Sequence, residues 1–362
     1  MNALRPLLGL AALALPPTAL AQSTGQSTSP RSGLSTSLQS VYQQARPAVL
    51  RIEDCPTTAC QDPDGVGTAF VISRDGLALT AYHVMFDSKN PTAVTLNHKR
   101  YPVSVVGYDD QSDLALIRVK FPGPVTPLNV AAAAPRIGDD ALAIGNGGGA
   151  FLRPKSGKLL KLDVASDRAD FASGTLQLSA QLIPGDSGGP ILNVRGEVEG
   201  VVSYITPDDT GSKILSYAIP VTSTSALLAD LKSGVKRDAP VVGLTFSYDL
   251  KPEFFPKVGL GPKPGAVPVS VTKGSPADKA GLRPLELVKE PATAADFPTF
   301  KGDVITAVNG KSVQDFTSFL NAVRGYKVGD TVTLSVQRGS QNLQLKLILA
   351  SRAQIFGAQA PK

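Results

Sequence analysis

The apolar positions of this chain change period more than once. Over residues 34–46, Leu34, Leu38, Val41, Tyr42 and Ala45 recur at helical spacing, which predicts a short amphipathic helix ending before Pro47. Short apolar runs follow at residues 48–52, 67–73, 77–81, 93–96, 101–108 and 114–119, each bounded by turn residues. Runs of that length and spacing predict a small antiparallel barrel. After a Pro/Ala-rich connector over 121–134, a second set occupies 141–144, 159–164, 175–178, 190–193, 197–204 and 216–220, matching the first in number. Between them, 145–158 reads as a glycine-rich loop around Asn146-Gly147-Gly148-Gly149, either a wall of a site or a mobile segment. A helix over 221–231 closes the region, with Gly234 just past its end.

Residues 235–240 are polar and read as a linker between a domain spanning 34–234 and another spanning 241–350. In the second domain, strands are expected at 241–247, 267–271 and 303–308, the last closed by Asn309-Gly310. Ser275, Pro276 and Gly281 mark the start and end of a compact helix. A second helix over 315–324 lines up Phe316, Phe319, Leu320 and Val323, and a hairpin over 331–348 turns at Gly339-Ser340. Residues 351–362 read as a tail.

The N-terminus reads as an export leader over 1–21. Arg5 precedes an apolar run at 7–15 too short to span a bilayer, and Ala19-Leu20-Ala21 offers a small-residue cleavage site. The Ser/Thr/Gly-rich stretch 22–33 is expected to be disordered. These features imply a periplasmic or secreted protein with no stable membrane span. Composition refines the picture. The 42% hydrophobic content is enough for real cores, and 34 Gly, 29 Pro and no Trp favour a mainly β protein rich in turns. The net charge of +6 is scattered without a basic run, so nucleic acid is not an expected partner. The two cysteines, Cys55 and Cys60, suit a local disulfide in an oxidising compartment, with two free thiols as the rival reading. Two His and two Cys are nowhere at ligand spacing, so neither metal nor cofactor is expected.

The chemistry centres on Gly185-Asp186-Ser187-Gly188-Gly189-Pro190. A serine hydroxyl is a weak nucleophile until a base takes its proton and donors stabilise the oxyanion. A glycine-rich turn can aim backbone N–H groups of Gly185, Asp186 and Ser187 at one point. Of the two histidines, His98 lies in a polar turn and reads as a solvated surface residue, which leaves His83 as the base unless a lysine serves. Asp113 opens an apolar strand and is the best candidate to orient His83. Asp109 and Asp110 read as solvated loop carboxylates. The order His83, Asp113, Ser187, split between two strand sets, is that of chymotrypsin-type serine proteases and predicts a double β-barrel.

The chain resembles the HtrA (Deg) family of serine proteases. The resemblance rests on Pro47-Ala48-Val49, Gly67-Thr68-Ala69-Phe70-Val71-Ile72, Thr80-Ala81-Tyr82-His83-Val84, Asp113-Leu114-Ala115, Ala143-Ile144-Gly145-Asn146, the serine motif and Tyr217-Ala218-Ile219-Pro220. It covers residues 35 to 350. It implies ATP-independent endoproteolysis of unfolded or damaged proteins outside the cytoplasm, often by a homotrimer. The second domain resembles a PDZ domain, an α+β fold that binds hydrophobic C-terminal peptides by strand addition. Val242, Gly243, Leu244 and Thr245 would form its carboxylate-binding loop and strand, and Phe316 and Leu320 the opposite wall. A PDZ domain that binds nothing is the alternative.

There are departures from the family. Asp186 stands where the family often has Asn, and Gly147-Gly148-Gly149 replaces Pro-Phe-Gly. Residues 151–171 do not match the expected activation loop, and 285–301 looks like an insertion in the PDZ domain.

The pocket beside Ser187 is assigned to Gln181, Leu182, Ile183, Val202, Ser203 and Tyr204. Gln181 offers no counter-charge for a basic side chain, so cleavage after Val, Ala, Leu or Ile is expected. Two other functions compete with quality-control proteolysis: a latent protease acting as a peptide-binding or chaperone-like protein, and a processing protease with one target.

Overall fold

The structure, a computed structural model, describes residues 34–55, 62–86, 88–165, 173–208, 212–244, 247–248, 250–293 and 296–356. The leader at 1–21, the stretch 22–33, Cys60 and Thr245 lie outside the described residues. Cys55 is disulfide-bonded.

Helix α1 (Thr36–Ala45) begins where the Ser35 side chain accepts the Leu38 N–H, and it buries Leu38, Val41, Tyr42 and Ala45. Pro47 then falls in a tight 3-10 turn, where its missing N–H costs nothing. The first barrel comprises β1 (Val49–Asp54), β2 (Gly65–Val71), β3 (Leu77–Ala81), β4 (Pro91–Val94), β5 (Arg100–Asp109) and β6 (Leu114–Val119). The strands pair in the order β5-β4-β1-β2-β3-β6, and β5 closes on β6. Leu50, Ile52, Val71 and Ile117 fill its interior. The single-turn helix α2 (Tyr82–Met85) leaves the end of β3.

The second barrel comprises β7 (Asp140–Gly145), β8 (Arg153–Val164), β9 (Thr175–Leu178), β10 (Pro190–Leu192), β11 (Val198–Pro207) and β12 (Ile214–Pro220). It closes in the order β10-β11-β12-β9-β8-β7 around Leu159, Leu176, Leu182, Val202 and Ala218. Strand β8 begins at Arg153, so much of the loop expected over 145–158 is paired with β7. The burial pattern explains the misreading, because the start of β8 carries Arg153, Lys155 and Lys158 on a largely solvated strand. Helix α3 (Ala226–Lys232) follows, capped by Ser225, and Gly234 takes φ +87° just past its end.

The polar residues expected as a linker are fastened to the first barrel. Strand β13 (Lys236–Arg237) adds in parallel to β5. Arg237 pairs with Asp109 and Asp230, and Tyr108 donates to Asp238 at 2.8 Å. Asp109 and Asp110 are correspondingly buried rather than solvated, which corrects the sequence reading. Composition alone could not show this, because each carboxylate has a partner distant in sequence.

The C-terminal domain holds β14 (Pro240–Val241), β15 (Ser247–Tyr248), β16 (Val267–Pro268), β17 (Glu286–Lys289), β18 (Thr299–Lys301), β19 (Asp303–Val308), β20 (Lys311–Ser312), β21 (Thr331–Arg338), β22 (Gln341–Ile348) and β23 (Ala350–Ser351). Its helices are α4 (Pro276–Lys279), α5 (Phe316–Arg324) and α6 (Arg352–Phe356). The sheet β20-β19-β21-β22 packs on α5 around Ile305, Val308, Phe319, Val332 and Leu334. The strand expected over 241–247 is interrupted at Gly243, whose φ is +91°. The expected insertion at 285–301 contains the β17–β18 hairpin. A second small core of Phe255, Val258, Leu260, Val267 and Val304 was not foreseen. Where a tail was expected, β23 pairs with β14, and α6 places Arg352 3.0 Å from Asp110.

Candidate active site

The two barrels meet at Thr68, in the middle of β2. The Thr68 N–H donates to the Ser187 carbonyl at 2.8 Å, and the Thr68 hydroxyl donates to the Gly185 carbonyl at 2.8 Å. Asn146, fully buried, donates to the Thr68 hydroxyl at 2.9 Å. These contacts hold the serine turn of the second barrel against β2 and β3, which carry α2 and His83 on the first.

His83 is the second residue of α2. Its Nδ1 lies 3.0 and 2.9 Å from the two carboxylate oxygens of Asp113, and its backbone N–H donates to Asp113 Oδ1 at 2.9 Å. Asp113 is 2% exposed and sits at φ +52°, a conformation that costs a non-glycine residue roughly 1–2 kcal/mol. The tight turn of residues 109–113 sustains it, with the Ser112 N–H donating to Asp109 Oδ1 at 2.8 Å. Burial pushes the Asp113 carboxyl up, but the His83 charge and the hydrogen bonds from His83 and Ser203 outweigh it. The group lies below its ordinary value. An ionised Asp113 holds the Nδ1 proton on His83 and leaves Nε2 as the basic nitrogen.

Ser203 lies beside Ser187, as its pocket assignment implies, but its side chain is turned to a partner that the sequence does not show. Its hydroxyl donates to Asp113 Oδ2 at 2.5 Å, and it is 1% exposed. The Ser187 hydroxyl donates to the Ser203 carbonyl at 3.1 Å. The signal was a lone serine inside the apolar run of β11, because a buried hydroxyl requires a partner.

Pro184 and Gly185 occupy the corners of a turn in which the Asp186 N–H donates to the Ile183 carbonyl at 3.1 Å. Gly185 takes φ +101°, as the third residue of a type II turn requires. The Asp186 N–H is therefore committed to closing the turn, which corrects its assignment to the oxyanion hole. Among the described residues, Gly185 and Ser187 are the amides this turn leaves for an oxyanion.

Of the other pocket assignments, Leu182 and Val202 pack in the second barrel's core and Tyr204 stacks on Tyr217 at 4.5 Å. Gln181 is exposed, and Ile183 is 40% exposed. The buried Ser216 hydroxyl, which accepts the Leu182 N–H at 3.2 Å, adds a polar group that sequence reasoning did not assign. His98 is exposed as expected, but its ring stacks on Phe151 at 4.5 Å. No cluster of potential metal ligands occurs among the described residues.

In the C-terminal domain a groove is lined by Val242, Gly243, Leu244, Phe316, Leu320 and Val323. Asp110 and Gln111 of the first barrel stand at its edge, and the Gln111 side chain donates to the Arg324 carbonyl at 3.2 Å. The turn that ends in Asp113 thus touches the groove.

Residues 67–201 match the trypsin-like peptidase domain, and residues 240–349 match the PDZ domain. A Chlamydia trachomatis DegP-like protein, named as a probable periplasmic serine endoprotease, is 30% identical over 298 residues, covering 79% of this chain and 54% of that one. The Synechocystis protein HhoA, a serine protease by name, is 30% identical over 300 residues, covering 78% of this chain and 69% of its own length. The chain thus spans about half the length of some relatives it matches. Among solved structures, the HtrA-type protease AlgW with a decapeptide superposes with a TM-score of 0.54 at 22% identity, covering 86% of this chain and 98% of that one. A serine endoprotease from Yersinia pestis superposes with a TM-score of 0.52 at 22% identity, covering 88% and 99%.

Proposed function

The chain belongs to the HtrA (Deg) family of serine proteases, and from that premise we propose that it is an ATP-independent endopeptidase acting on unfolded or damaged proteins outside the cytoplasm. The observation that carries this reading is the His83 Nδ1 contact to both oxygens of a buried, ionised Asp113, on the barrel facing Ser187. Ser187 Oγ attacks the scissile carbonyl while His83 Nε2 takes its proton. The amides of Gly185 and Ser187 receive the oxyanion. His83 then protonates the leaving amine, and water, activated by the same histidine, hydrolyses the acyl-enzyme. Asp113 stays ionised throughout, held by Ser203.

The specificity site takes a small aliphatic side chain, because Gln181 offers no negative charge. The groove of the C-terminal domain takes a hydrophobic C-terminal peptide beside Leu244, with α5 as the far wall. Homologues named as periplasmic support an extracytoplasmic site of action, and no helix among the described residues is long and apolar enough to cross a membrane. The family resemblance supports a homotrimer.

A second reading, a protease latent until a peptide arrives, is favoured by the Ser187 hydroxyl pointing at the Ser203 carbonyl. Reaction requires that hydroxyl to rotate onto His83. Both readings are tested by treating the full chain with a fluorophosphonate reporter and mapping the label by mass spectrometry. Label on Ser187 that disappears in His83→Ala supports the triad, and label that requires an added hydrophobic decapeptide favours latency. Absence of label at Ser187 under both conditions contradicts the assignment.

A further inference from the structure

We propose that Lys155 is a positioning residue for catalysis: its ammonium, paired with the buried Asp186 carboxylate, holds the peptide plane that aims the Gly185 N–H at the oxyanion. This rests on the serine-protease reading above.

Asp186 lies between the two oxyanion donors in sequence, and it is 2% exposed. Its carboxylate gathers partners from three segments. Oδ1 accepts the Gly147 N–H at 2.9 Å, and Oδ2 accepts the Ile183 N–H at 3.0 Å and the Lys155 ammonium at 2.5 Å. Lys155 stands on β8 opposite Ala143, so it reaches Asp186 from a paired strand. It is the cation that balances a carboxylate almost wholly out of water.

The consequence for catalysis runs through one loop. With Gly147 tied to Asp186, the next residue donates its N–H to the Pro184 carbonyl at 3.1 Å. That carbonyl belongs to the Pro184–Gly185 peptide, and in a trans peptide the N–H points opposite to the C=O. No cis bond occurs among the described residues. Gly148 therefore fixes which way the Gly185 N–H faces, and Asp186 fixes Gly148. The contact is also tight, because a Cβ on Gly147 would come within 2.7 Å of both Asp186 oxygens.

Two departures from the family pattern become one interaction. A proline at 147 has no N–H to give, so Asp186 would lose its Oδ1 donor. Gly147 and Asp186 belong together, and Lys155 neutralises the charge that Asp186 brings and Asn would not.

The test uses the full chain and two readouts. One is the rate at which a fluorophosphonate labels Ser187, and the other is kcat and KM on fluorescein-labelled casein. In Lys155→Met the labelling rate and kcat fall about tenfold or more while KM changes less than about twofold, the pattern of a lost transition-state interaction. In Asp186→Asn, adding Lys155→Met has no further effect, because no buried charge is left unbalanced. The proposal is overturned by wild-type labelling in Lys155→Met, or by an equal loss in the Asp186→Asn background. If Lys155→Met does not fold, the comparison of Asp186→Asn with the double variant decides alone: equal rates support the pairing, and a slower double variant overturns it. A wild-type chain that fails to label at Ser187 both with and without an added hydrophobic decapeptide overturns the protease reading instead, and this inference with it.

Discussion

The Ser203 hydroxyl donates to Asp113 Oδ2 at 2.5 Å from inside β11, so the acid that orients His83 is held by both barrels. The His83 backbone N–H binds Oδ1, the Ser203 hydroxyl binds Oδ2, and His83 Nδ1 lies within reach of both oxygens. Asp113→Asn should preserve the fold and lower kcat by about 10⁴, because the amide no longer fixes the Nδ1–H tautomer. Ser203→Ala should lower kcat about tenfold, the equivalent of one charge-assisted hydrogen bond. Steady-state kinetics on casein checks both, and wild-type turnover in Asp113→Asn would remove it from the mechanism.

Asp110, three residues before Asp113, is shifted in the opposite sense. Burial raises it to about 6, against the pull of Arg352 and the Ala239 N–H. The folded protein keeps a proton that the unfolded chain loses near 3.8, so this contribution to stability is complete below about 3.8 and fades as pH rises through about 6. Asp113 works the other way, its contribution being present above about 3.8 and lost as pH falls through its lowered value. The Tm of Asp110→Asn relative to wild type should therefore rise between about pH 4.5 and about pH 7.5. A pH-independent difference in thermal denaturation would contradict the burial effect.

A stability prediction concerns the C-terminal domain. Asp303 is fully buried and meets Arg338 in a two-pronged pair at 2.6 and 2.7 Å. Arg338 also donates to the Gly281 carbonyl at the end of α4. Arg338→Ala strands a buried carboxylate and should destabilise the domain by about 3 kcal/mol. Chemical denaturation followed by a probe in this domain measures it, and a loss below about 1 kcal/mol would mean the pair is balanced by solvent.

Specificity gives a further prediction. Peptides differing only at the residue before the cut should rank Val, Ala, Leu and Ile well above Arg. A preference for Arg would show that a carboxylate from outside the expected pocket serves it.

Much of this was legible in the sequence. His83 and Ser187 stood out because the chain has two histidines and one Gly-Asp-Ser-Gly motif, and Asp113 because it opens an apolar strand. The two strand sets were visible through their turn residues. What was not legible involves partners far apart in the chain. Ser203 looked like a pocket residue, since nothing local shows that its hydroxyl reaches across the cleft to Asp113. Residues 235–240 looked loose because Lys236 and Arg237 are polar, yet their backbone extends β5. Asp186 looked like an oxyanion donor until its N–H was seen closing the turn on Ile183. In each case the sequence shows the group and only the fold shows its partner.

The most direct measurement is cleavage of a permanently unfolded protein by the full chain beside Ser187→Ala, without ATP and with a folded protein as control. The account predicts fragments from the unfolded substrate with the wild-type chain, none with Ser187→Ala, and little from the folded control. Equal cleavage by both chains would show that Ser187 is not the nucleophile. No cleavage by either, even with a hydrophobic C-terminal peptide added, would contradict the protease assignment.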